Sequence, residues 1–155
     1  HSDLRDRLYR IINFEPANEI ELPPAIRPMR LTNPDAPINK HVVHLTIDGN
    51  KATVVPVLMA KSSRFRTGGL FANMDFYLMV LEKRKDNFVP KLDNGQPELL
   101  AASEAPDYMK KIGRNTLYII HPEETLADNF WMMLLGSDRI RDPWIINEMK
   151  EVLKN

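Results

Sequence analysis

Between Glu15 and Pro37 the chain carries Pro16, Pro23, Pro24, Pro28, Pro34 and Pro37, and that density forbids a regular helix. Each proline fixes φ and removes a backbone donor, so the stretch is expected to run extended across a surface. Ile20, Leu22, Ile26 and Met29 would pack it down as a wrapping connector; a proline-rich interaction motif is the alternative.

The segments on either side follow recognisable periods. Ser2 or Asp3 can cap a helix in which Leu4, Leu8, Ile11 and Ile12 recur at helical spacing. Val42 to Ile47 and Ala52 to Met59 are β-branched and apolar around Asp48-Gly49-Asn50, which predicts a hairpin with a tight, positive-φ turn. Asp75 to Glu82 and Asn87 to Leu92 predict a second antiparallel pair, with Lys83-Arg84-Lys85-Asp86 at its solvated tip. A short helix is expected around Asp107 to Ile112, closed by Gly113, and Leu117 to Ile120 reads as a short buried strand. These elements define an α+β domain: a small antiparallel sheet, an N-terminal helix and C-terminal helices.

With 155 residues and 43% hydrophobic content, one domain over residues 1–155 is expected. Lys+Arg and Asp+Glu both number 21, so no excess charge draws the chain to nucleic acid or to an anionic membrane. No apolar run reaches the roughly 18 to 20 residues of a membrane span. Zero cysteines exclude disulfides and thiolate metal ligands, and they suit an exported protein as well as a cytosolic one. The chain opens at His1 instead of methionine, from which a natural start further upstream is expected.

The last third is helical: His121 to Leu135, a turn at Gly136-Ser137-Asp138, and a final helix capped by Asp142 with Pro143 at its first position. Ile145, Met149, Val152 and Leu153 form the apolar stripe of that final helix. At about 100° per residue, Glu124, Asp128, Trp131 and His121 fall within one narrow face of the preceding helix. Trp131, Met132, Leu134 and Leu135 make its second half apolar all round, the pattern of a buried helix. Carboxylates on a buried helix need a cation or a hydrogen-bonded partner, because desolvating an unpaired charge costs several kcal/mol. The plainer reading is that Glu123, Glu124 and Asp128 favour the positive end of the helix dipole, with His121 as cap.

Glu124-Thr125-Leu126-Ala127-Asp128 is similar to the Glu-x-x-x-Asp helix of gluzincin-type zinc metallopeptidases. The longer run from Tyr118 to Phe130 also resembles a segment of bacterial zinc-peptidase-like proteins. That resemblance extends to Leu4-Arg5-Asp6-Arg7-Leu8-Tyr9 and Thr32-Asn33-Pro34-Asp35-Ala36-Pro37. It implies zinc as cofactor, a peptide or protein as substrate, Glu124 as third zinc ligand and Asp128 as the group that buttresses a zinc-binding histidine. His121 is a site-lining residue or the helix cap. Those enzymes draw two ligands and a general base from a His-Glu-x-x-His helix, and here the histidines are only His1, His41, His44 and His121. The expectation is therefore the C-terminal portion of a longer metallopeptidase-like protein, inactive alone, with the first motif upstream. A non-catalytic binding domain, or a degenerate peptidase-like domain, is the rival.

Other candidates are structural. His41 and His44 lie on a predicted strand, where positions three apart face opposite sides. Arg64-Phe65-Arg66-Thr67-Gly68-Gly69 lacks the lysine and the strand-loop-helix setting of a phosphate loop. Met59, Met74, Met79, Met132, Met133 and Met149 are core filling.

Overall fold

A computed structural model describes residues 2–32, 39–64, 66–69 and 71–154. Residues 33–37 of the proline stretch, Phe65 of the glycine turn and His1 lie outside the described residues. The chain runs α1 (Ser2–Ile11), β1 (Phe14–Pro16), β2 (Arg30–Leu31), β3 (His41–Ile47), β4 (Asn50–Ala60), β5 (Met74–Arg84), β6 (Asn87–Pro90), β7 (Leu92–Asp93), β8 (Gln96–Pro97), β9 (Leu99–Ala101), α2 (Pro106–Ile112), α3 (Pro122–Leu135) and α4 (Pro143–Lys154).

Both predicted hairpins form. β3 and β4 meet at Asp48 and Gly49, which have φ of 49° and 80°, the doubly positive turn that matches strand twist. β5 turns into β6 at Lys85, with φ 55°. The main sheet has the order β1-β3-β4-β5-β6, with β2 added to β4 and β9 to β5, and every pair is antiparallel. The α+β architecture expected from the sequence is the one observed.

Pro56 sits in the middle of β4. Its partner on one side is Leu78 of β5. On the other side the β3 register ends at Val54 and the β2 register begins at Leu58, so Pro56 occupies the gap between two short partners. A residue without an N–H is tolerated in a strand where the ladder is interrupted.

Successive strand residues point to opposite faces, and both faces of this sheet are apolar. Val43, Leu45, Val54, Leu78 and Val80 face α1, α2, α3 and α4, packing on Ile12, Tyr108, Ile112, Ile145 and Met149. Val42, Val55, Val57, Met79 and Leu81 face the proline stretch, which buries Ile20, Leu22 and Ile26 against them. Burying a side chain of this kind contributes about 1.5–3 kcal/mol, enough to hold down a segment that runs irregularly and ends in a 3-10 turn over Arg27–Met29. Ala17 and Ile20 donate backbone bonds to Lys40 and Asn39 (2.8 and 2.9 Å), and the Asn18 side chain both accepts from Phe88 N and donates to Phe88 O (2.7 and 2.9 Å). The stretch is a wrapping connector over its described length. His41 and His44 point to opposite faces: His41 is half-buried beside Tyr9, and His44 is exposed near Phe88.

Three expectations need correction. Residues 117–120 form no strand: Leu117 is 89% exposed and Tyr118 is exposed, while Ile119 is half-buried against the core. In α4 the buried stripe is Ile145, Ile146 and Met149, while Leu153 is exposed. The C-terminal half of α3 is not buried, as described below.

Gly113 closes α2 at φ 86°, and a Cβ there would stand 2.2 Å from Ile145 Cδ1. Gly113→Ala combines positive-φ strain with overpacking against α4 and should cost about 3 kcal/mol in chemical denaturation. Ile145→Val, which removes the clashing methyl, should recover part of that loss in the double variant; simple additivity would show that the clash is not the cause.

Candidate functional site

The first turn of α3 is built by its cap. His121 is extended (φ −155°, ψ 144°), and its Nδ1 accepts the Glu123 N–H at 3.2 Å, with Pro122 at the first helical position. Accepting that bond requires a lone pair on Nδ1, so the ring proton sits on Nε2. Burial pushes the His121 pKa down to about 4; Glu123 opposes the shift, and His41, Arg30 and Arg5 add to it. The neutral ring that the cap needs is therefore the form present near pH 7.

Around this cap stands a half-buried polar cluster that sequence reading missed. Tyr9 of α1 donates its hydroxyl to Glu123 Oε2. The Tyr9 ring lies edge-on to both His41 and His121, with centroids 4.6 and 6.5 Å away. His41 Nε2 lies 3.2 Å from Asp6 Oδ1. Burial, with the adjacent Glu123, raises the Tyr9 pKa, so the phenol stays protonated and remains a donor. α1, β3 and α3 are thereby tied together at one point.

Asp128 is held from the other side. Thr116 donates its hydroxyl to Asp128 Oδ2 and receives Tyr118 N at 3.0 Å. The loop bearing Thr116 is laced between α3 and α4 by side-chain amides. Asn115 Nδ2 donates to Asn129 Oδ1 (2.7 Å) and to Asp142 O (3.0 Å), while Asn115 Oδ1 accepts Asp142 N (2.7 Å). Asn129, fully buried, donates to Thr125 O at 2.7 Å. The Asp142 carboxylate, expected to cap α4, binds Arg114 instead: the backbone N–H at 2.6 Å and the guanidinium at 3.0 and 2.6 Å. Those Arg114 bonds hold the Asp142 carboxyl below the usual carboxylate range.

The result is an inverted helix. α3 turns Pro122, Thr125, Leu126 and Asn129 inward. Glu124 and Asp128 are half-buried on its flank, and Trp131 and Leu135, one and two turns further along the same stripe, are 60% and 62% exposed. The sequence reading of a helix buried all round is corrected accordingly: Trp131, Leu134 and Leu135 face outward, while Met133 packs half-buried against the core. Leu134, Leu117 and Tyr118 are exposed as well.

Among the described residues no three His, Asp or Glu side chains converge where a metal ion fits. Glu124, Asp128 and His121 share a helix end, but His121 Nδ1 is occupied by the cap and Asp128 by Thr116. These donors do not complete a four-coordinate zinc site by themselves. No helix among the described residues is long and apolar enough to cross a membrane. Protein-family models, curated proteins and solved structures contain no match to this chain.

Two consequences can be measured. Asn129→Ala removes the Asn115–Asn129 bond and opens a gap at a fully buried position, leaving Asn115 its two bonds to Asp142, and should cost about 2 kcal/mol. Adding Asn115→Ala should then cost less than it does alone, since the two amides share a bond; additive losses in a double-mutant cycle would contradict the network.

The His121 shift sets a sign for pH dependence. Its folded pKa, about 4, lies below the ordinary value, so the folded state binds fewer protons than the unfolded chain. The stability it confers is complete above about pH 6.5 and is lost as pH falls from there towards 4. Allowing for the ring's partial exposure, melts at pH 7 and pH 5 should differ by about 1 kcal/mol more in wild type than in His121→Asn, which keeps a capping acceptor.

Proposed function

We propose that α3 is the carboxylate arm of a zinc-dependent peptidase-like site whose imidazole ligands and general base come from outside this chain. Glu124 acts as a zinc ligand, Asp128 as the group that orients a ligating histidine, and His121 as the cap that fixes the first turn. The substrate is a peptide or protein. The observation that supports this reading is the open stripe of α3: two half-buried carboxylates continue directly into exposed Trp131 and Leu135. A soluble helix that keeps its amides inward and leaves large apolar side chains outside is shaped to receive another element. Thr116 already fixes Oδ2 of Asp128, so Oδ1 is the oxygen left to receive a ring N–H.

A second reading rests on the lack of a three-donor cluster among the described residues. In it the same stripe docks a partner without metal, and the chain is a non-catalytic binding domain. The gene's reading frame before His1 separates the two: a His-Glu-x-x-His helix there supports the zinc site, and its absence favours the binding domain.

Metal analysis gives the quantitative test. The natural gene product should hold about one zinc per chain, and the present chain should bind it weakly. Glu124→Gln should strip zinc from the gene product while leaving the stability of the present chain nearly unchanged. Asp128→Asn should weaken zinc by roughly 10 to 100-fold. A loss of several kcal/mol in metal-free Glu124→Gln would instead make Glu124 half of a structural ion pair, and tight stoichiometric zinc in the present chain would mean that its own histidines complete a site.

A further inference from the structure

On the sheet face that carries the proline stretch, three polar side chains from three strands stand in a row. Thr53 of β4 is the register partner of His44 of β3, and its Oγ1 lies 2.9 Å from His44 Nδ1. Across the ring, His44 Nε2 lies 3.6 Å from Oε2 of Glu15 on β1. The Phe88 ring stands beside the imidazole, with centroids 6.0 Å apart at 55°. The Glu15 carboxylate favours the tautomer with its proton on Nε2, which leaves the Nδ1 lone pair for the Thr53 hydroxyl. The His44 and Glu15 side chains are 45% and 60% exposed, so solutes reach the row. The fold has little need of it: β3 and β4 are already joined over five register positions. His41 and His121, by contrast, each tie separate elements together.

We propose that Thr53 is an acyl-accepting nucleophile that acts on activated carboxylic esters, with His44 as its general base and Glu15 as the group that orients the ring. A hydroxyl within hydrogen-bond reach of an imidazole, itself oriented by a third group, is the arrangement that nucleophilic catalysis needs. Thr53 Oγ1 attacks the ester carbonyl carbon while His44 Nδ1 takes the hydroxyl proton. The bond from that carbon to the leaving oxygen then breaks, and the departing oxygen takes the proton back. The products are an ester on Thr53 and a free alcohol. Water that gives a proton to the same Nδ1 hydrolyses the Thr53 ester, releasing the acid and restoring the hydroxyl. Lys51, two residues before Thr53 on β4, leaves the strand on the same face about 7 Å away, and its ammonium is the positive charge in reach of the developing oxyanion.

The test uses the present chain in EDTA, so that metal contributes nothing, with para-nitrophenyl acetate as the ester. Nitrophenol should be released, and peptide mass spectrometry after an acid quench should place the acetyl group on Thr53. Thr53→Val keeps the shape and suits a strand; it should abolish that adduct and lower the rate about a hundredfold. Thr53→Ser should still take the acetyl group. His44→Gln should slow release about as much as Thr53→Val, and Glu15→Gln by less than about tenfold, because an exposed carboxylate is screened. Thermal melts check that the variants fold. Acetyl on His44 or on lysines with none on Thr53, a rate unchanged in Thr53→Val, or a folded Thr53→Ser that takes no acetyl would overturn the proposal.

Discussion

The pairing of β4 with β5 creates a problem that the rest of the chain solves. Val54, Leu78 and Val80 project to one side of this pair and Val55, Val57, Met79 and Leu81 to the other, so neither face can be left in water. One cover is the helical layer. The other is the proline-rich stretch, and its composition suits the task. Between β1 and β2 the stretch joins no ladder, so every amide it lacks is one fewer to satisfy. Ile20, Leu22 and Ile26 supply the apolar contacts, and after Pro23 the chain turns back through bonds from Ile26 and Arg27 N–H to Pro23 O into a 3-10 turn over Arg27–Met29.

The same need for satisfied backbone explains α3. The loop between α2 and α3 runs without a strand partner: the Asp142, Thr116 and Thr125 side chains meet its Arg114 N–H, Tyr118 N–H and Tyr118 C=O, and Asn115 joins it to Asn129 of α3. Housing those amides and hydroxyls occupies the inner face of α3. Its tryptophan and leucines are displaced outward, beside the two carboxylates, so the polar lacing and the exposed apolar stripe are two results of one arrangement.

What was legible in the sequence was local. The Asp48-Gly49 turn, the Gly113 stop and the His121-Pro122 helix start are each specified within a few residues, and each forms. Long-range partners were not legible. Leu117 to Ile120 carries the composition of a strand, but its neighbours' needs are met by side chains, so no ladder forms. Asp142 precedes Pro143 as a cap would, yet a guanidinium 28 residues away in sequence outcompetes the helix end. The outward face of α3 was misread because hydropathy records which residues are apolar and says nothing of which side the amides claim. The Tyr9, His41, His121 and Glu123 cluster draws on separate elements with no spacing signal between them.

Asn18 has a bearing on how the molecule meets others. Its single side-chain amide takes both the N–H and the C=O of Phe88 on β6, acting as a one-residue counterfeit strand. Another chain that sought to extend the sheet there would have to expel a group already making both bonds. Sheet-to-sheet growth is disfavoured at that margin, because both backbone groups of Phe88 are already bonded.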